Sequence, residues 1–80
     1  MPVRLVFLGK LADCADASEH TVAAPLDWAG LLAHLPAELA VAAADPKVRV
    51  AVNGVLLVDK RALAAGAGDE VALLPPVSGG

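Results

Sequence analysis

The sequence predicts an α+β fold, a small mixed sheet packed against one main helix, and three observations carry that expectation. Residues 48–58 hold two β-runs flanking Asn53-Gly54, the pair that supplies both positive-φ positions of a tight hairpin turn. Trp28, Leu31, Leu32 and Leu35 recur at i, i+3, i+4 and i+7, one apolar stripe on a helix. Strand-like runs lie near both ends of the sequence, Val3–Leu8 and Glu70–Leu74.

In chain order, Val3, Leu5 and Phe7 share one face of the first strand, while Arg4, Val6 and Leu8 share the other. Gly9 breaks the pattern, and Lys10–Asp16 fits one short helical turn. Glu19–Ala23 reads as a second strand, with β-branched Thr21 and Val22. Asp27 is placed to cap the main helix, accepting from free N–H groups of its first turn. Pro36 must end or kink that helix, and Glu38–Ala44 continues as an alanine-rich piece until Asp45-Pro46 closes it. Val48, Val50 and Val52 share a face of the hairpin's first arm, and Val55–Val58 form the second. Arg61–Ala65 reads as a short helical turn ended by Gly66, and Gly68-Asp69 turns into the last strand. Pro75 and Pro76 stop that strand, because neither can donate a ladder hydrogen bond. The resulting order, ββαβββ with small inserted turns, is that of a β-grasp, or ubiquitin-like, roll. Residues 1–74 make the domain and 75–80 a tail.

Composition narrows the function classes. Eighty residues suit a single domain with a modest core. Much of the 58% apolar fraction is alanine, and Phe7 and Trp28 are the only aromatics. Packing therefore falls to Val and Leu. A net charge of −3, with both signs scattered, argues against a nucleic-acid binder. The run Met-Pro-Val-Arg-Leu-Val-Phe-Leu lacks the pattern of a signal peptide, and no stretch approaches the ~20 apolar residues of a membrane helix. A single cysteine, Cys14, fits a reducing compartment. A cytoplasmic protein without a membrane partner is expected.

The side chains assemble no catalytic apparatus. Cys14 has no evident base beside it and reads as a small residue of a turn. His20 and His34 stand apart in sequence, and no His/Cys/Asp spacing resembles a metal site. Gly66-Ala-Gly68 lacks the Gly-Lys-Ser/Thr of a phosphate loop and reads as a turn. Asp69 and Glu70 are turn residues entering a strand, and Asp59-Lys-Arg61 reads as a solvated connection.

Chemistry then falls to the main-chain terminus. Gly79 and Gly80 lack Cβ atoms and can pass a channel that any side chain would block. A carboxylate activated as an acyl-phosphate anhydride is open to attack by sulfur or nitrogen. Pro75 and Pro76 stiffen the base of the arm, which reduces the entropy lost when a partner grips it. Val77 and Ser78 extend it, and six extended residues span up to ~20 Å.

The run Gly68-Asp-Glu-Val-Ala-Leu-Leu-Pro-Pro-Val-Ser-Gly-Gly80 resembles the C-terminus of the MoaD family, the small sulfur-carrier subunits of molybdopterin synthase. The likeness extends to the first strand, the helix from Asp27 and the Val-Asn-Gly hairpin. It implies that Gly80 is adenylated by an E1-like (MoeB-type) enzyme using ATP and becomes a thiocarboxylate with sulfur from a sulfurtransferase. It further implies insertion of the tail, Pro75 to Gly79 included, into a MoaE-type large subunit. There sulfur would pass to cyclic pyranopterin monophosphate within a heterotetramer. The carrier is thus expected to be no enzyme alone and to hold no permanent cofactor or metal. Two departures from the family pattern stand out: Leu73-Leu74 replace aromatics before Pro-Pro, and Leu11-Ala12-Asp13 replaces an Arg-Glu segment. Alternation puts Leu73 and Leu74 on opposite sides, one toward the core and one toward a partner. The same Gly-Gly chemistry also serves carriers for thiamine or cysteine synthesis and ubiquitin-like modifiers. Pro75-Pro76 weighs against the thiamine and cysteine carriers.

Overall fold

Strict alternation makes Val3–Phe7 the first strand, β1, with Val3, Leu5 and Phe7 buried and Arg4 exposed. The computed structural model describes residues 1–15 and 18–76, the side chains at positions 14 and 15 excepted. Gly9 turns the chain at φ +56° into α1 (Lys10–Ala15). Asp16, the expected end of that turn, lies outside the described residues. β2 (Glu19–Val22) returns antiparallel to β1, with Val22 opposite Val3. β3 (Leu26–Asp27) follows, and Asp27 then caps α2 (Trp28–His34), its Oδ1 accepting from the Gly30 N–H at 2.7 Å. The expected cap is present. Leu35 leaves the helix, and α3 (Ala37–Ala44) starts directly after Pro36.

The hairpin also forms where expected. β4 (Arg49–Val52) and β5 (Val55–Leu56) flank Asn53 at φ +51° and Gly54 at φ +83°. Its second arm is shorter than the sequence suggests, and Val58 stands fully exposed beyond it. A 3-10 turn, Lys60–Ala62, is capped by the Asp59 carboxylate. The helical turn expected to run through Ala65 stops there: Ala64–Ala65 is β6, paired antiparallel with β3 in a two-stranded sheet. Burial of Leu63 and Ala65, the latter opposite Leu26, overrides the helix preference of the alanines.

β7 (Glu70–Leu74) occupies the middle of the main sheet, whose order is β2-β1-β7-β4-β5. It runs parallel to β1 and antiparallel to β4. This is a mixed β-grasp sheet. The helices pack on one face, where Leu11, Leu31 and Leu39 meet Leu5, Phe7, Val50, Val71 and Leu73. Each large aliphatic side chain buried there contributes about 2 kcal/mol.

Candidate functional site at the end of the middle strand

Alternation along β7 sends Val71 and Leu73 into the core and leaves Ala72 and Leu74 half-buried on the opposite face. Leu73 is fully buried, so its candidacy as a partner-facing residue is corrected. It sits opposite Phe7 and Val50, whose own side chains fix that face as the interior. Leu74 takes the outward role. In register across four strands, Val6, Ala72, Ala51 and Leu56 form an apolar row on this outer face. Leu8 and Leu56 are large apolar side chains exposed by 42% and 51%.

The strand ends against specific neighbours. The Leu8 N–H donates to the Leu73 carbonyl at 3.2 Å, and Arg49 lies opposite Leu74. Pro75 then removes the next ladder donor. Gly9 packs against this base so closely that a Cβ there would lie 3.1 Å from Pro75 Cγ, and its positive φ already disfavours other residues. On the other side, Pro46, Lys47 and Arg49 enclose a shallow cleft of about 320 Å³ with Pro75 and Pro76. Val77, Ser78, Gly79 and Gly80, the rest of the expected reactive arm, lie outside the described residues.

The opposite end of β7 is locked by polar groups. Asn53 Nδ2 donates to Asp69 Oδ1 at 3.0 Å, and the Glu70 N–H donates to Asn53 Oδ1 at 3.0 Å. The Gly66 N–H donates to Asp69 Oδ2 at 2.8 Å. The bonds from the Gly66 amide and then from Asn53 hold the Asp69 carboxyl below its ordinary value. Arg4 ion-pairs with Glu70 across β1 and β7, and Glu70 as acceptor raises the guanidinium further.

Sequence reasoning missed the part played by Lys60. Its ammonium is drawn inward, donating to the carbonyls of Ala43 at 2.7 Å and Val48 at 2.9 Å, and to that of Asp45. It also lies 5.6 Å from the centre of the Trp28 ring. Lys60 thus closes the C-terminal end of α3 onto β4 and α2. Burial pulls the amine below its ordinary value, opposed by the negative charge of Asp45. Beside it, the Arg61 N–H, then its side chain, lower the Asp59 carboxyl.

His20 and His34, apart in sequence, meet in space. The His20 ring stands edge-on to Phe7 at 5.4 Å and to His34 at 6.1 Å. Among the described residues no third His, Cys, Asp or Glu joins them in a metal-binding group. The Cys14 side chain is outside the described residues. Among those residues, too, no helix is long and apolar enough to cross a membrane.

The chain presents an apolar row on its outer sheet face, a strand exit closed by Pro75 and Pro76, and no assembled catalytic side chains among the described residues. Its backbone is similar to SAMP1 from Haloferax volcanii, with TM-score 0.71, 26% identity and full coverage of both chains. A protein from the complex of subunits 1 and 2 of molybdopterin-converting factor from Helicobacter pylori matches at TM-score 0.67 and 26% identity, again over both chains in full. The small archaeal modifier protein 1 of Methanosarcina acetivorans shares the fold at TM-score 0.77 and 21% identity, over 99% of this chain and 96% of that one. Comparison with the curated proteins finds no match. A sequence profile of the ThiS family matches residues 5–80. The chain therefore belongs to the ThiS family, the ubiquitin-like sulfur-carrier domains that include the MoaD type.

Proposed function

We propose that this chain is the sulfur carrier of a molybdopterin synthase, with the Gly80 carboxylate as its working group. The reading rests on the run Pro75-Pro-Val-Ser-Gly-Gly80, which follows the middle strand in sequence, a strand whose outer face carries an apolar row. Full-length likeness to a component of a molybdopterin-converting factor complex supports it. The carboxylate attacks the α-phosphorus of ATP on an E1-like (MoeB-type) enzyme, and pyrophosphate leaves. A sulfurtransferase persulfide then displaces AMP to form an acyl disulfide, and a thiol cleaves its S–S bond, taking up the sulfurtransferase sulfur as a new disulfide and releasing the thiocarboxylate. The large subunit covers the apolar face and receives the tail, and sulfur passes to cyclic pyranopterin monophosphate. Every catalytic side chain in this scheme belongs to a partner.

The test is intact mass after incubation with the E1-like enzyme, ATP and a sulfur donor. Replacement of one oxygen by sulfur is expected, and an unchanged mass with each cognate activator overturns the reading. Deleting Gly80 should abolish the gain and leave the folding transition in place, since β7 ends at Leu74.

Likeness to SAMP1 favours a second reading, a protein modifier. The same activated Gly80 would then be attacked by a lysine amine to form an isopeptide. Higher-mass adducts on other proteins in that assay, in place of the sulfur gain, would select it.

A further inference from the structure

Four of the six cations, Lys47, Arg49, Lys60 and Arg61, lie between Asp45 and Arg61, against two acids, Asp45 and Asp59. This is a local excess of positive charge in a chain of net −3. Two of the four are already engaged. Lys60 points at carbonyls, and Arg61 pairs with Asp59 at 3.2 Å. Lys47 and Arg49 remain, both exposed and without an ion-pair partner among the described residues.

Their position is set by the sheet. Arg49 faces Leu74 across the β4–β7 ladder, and Lys47 and Arg49 line the cleft against Pro75 and Pro76. Arg49 also borders a second cleft of about 390 Å³ that continues past Pro46 to the exposed Val58 and to Arg61. The two clefts share Arg49 and Pro46, so the surface runs unbroken from the tail base toward Val58.

We propose that this surface docks a carboxylate-bearing strip of the large subunit that receives the tail. The inference rests on the carrier reading and adds the chemistry of the partner's wall. A protein that encloses the arm down to Pro75 must cover Lys47 and Arg49. Covering two cations with a neutral wall would strip their water without replacement, which is strongly unfavourable. Acidic side chains supply the replacement and steer the encounter from a distance.

The experiment measures association of wild-type and K47E/R49E carriers with the large synthase subunit from the same genome, in about 0.05 M and about 1 M salt. Both carriers are first assayed for the sulfur mass gain and for thermal unfolding. The charge reversal should slow association on the order of 10-fold or more at low salt. The deficit should vanish at high salt, where the screening length falls to about 3 Å. K47Q/R49Q should fall between the two. Equal association rates at low salt overturn the inference, as does a deficit that persists at high salt. A wild type that gains sulfur but does not bind the large subunit also overturns it. A wild type that never gains sulfur sinks the carrier reading itself.

Discussion

Replacing Lys60 by Met keeps an unbranched apolar stem beside Trp28 but removes the ammonium and its three bonds to the carbonyls of Ala43, Asp45 and Val48. A hydrogen bond to a charged group contributes about 1.5–3 kcal/mol, so the gross loss is several kcal/mol. Two effects reduce it. The methionine has no charge to desolvate, and water can reach the carbonyl of exposed Asp45. The Ala43 carbonyl stays poorly hydrated, because Ala43 is fully buried. A net loss of about 2–3 kcal/mol follows, equivalent to a Tm drop of roughly 10–20 °C in a domain of this size. Trp28 is the sole tryptophan and lies against the altered group, so urea unfolding followed by its fluorescence reads the change at its source. Lys60→Arg should recover little, since a planar guanidinium does not reproduce a compact donor aimed at three converging carbonyls. A Lys60→Met loss below about 0.5 kcal/mol would refute the argument, because a solvated surface lysine behaves in that way.

Asp69→Asn should destabilise the protein near neutrality, since one amide edge must face a donor that the carboxylate now accepts. The folded-state pKa of Asp69 lies below 3.8, so its contribution is present above that value and lost as pH falls through the lower folded value. The wild-type advantage in urea midpoint should therefore shrink as pH falls through and below the ordinary carboxylate range; a constant gap would refute it. Leu73→Ala should cost about 3 kcal/mol because Leu73 is fully buried. Leu74→Ala should cost about 1 kcal/mol or less yet weaken large-subunit binding, and comparable unfolding losses for the pair would contradict the assignment of faces.

Features readable in the sequence were those decided by a few adjacent residues. Asp27 caps α2, Asn53-Gly54 turns the hairpin and Pro75 ends β7, each through backbone chemistry local to the residue. What escaped depends on partners distant in the chain. β3 and β6 have two residues each and exist through the pairing of Leu26 with Ala65, which no local pattern announces. Lys60 sits in an Asp-Lys-Arg run typical of a solvated loop, and the Ala43, Asp45 and Val48 carbonyls converge on it only after α3 and β4 are placed. Alternation separated Leu73 from Leu74, but choosing the inward residue required the register with Phe7 and Val50. The same register brings Arg49 beside the tail base.

The position of β7 suits the proposed carrier role, because it anchors the segment that leads to the C-terminus on both sides. A tail leaving an edge strand such as β2 or β5 would be anchored by one ladder, and tension on it could peel that strand away. β7 is bonded on both sides, to β1 and to β4, and its start is tied through Asn53, Asp69 and Glu70. A partner pulling on Pro75 therefore works against two ladders and a polar lock at once. Gly9 against Pro75 and the Leu8 bond to Leu73 set the direction in which that segment departs. The domain thus fixes where Pro75 leaves the sheet, which is where the carrier reading starts its working arm.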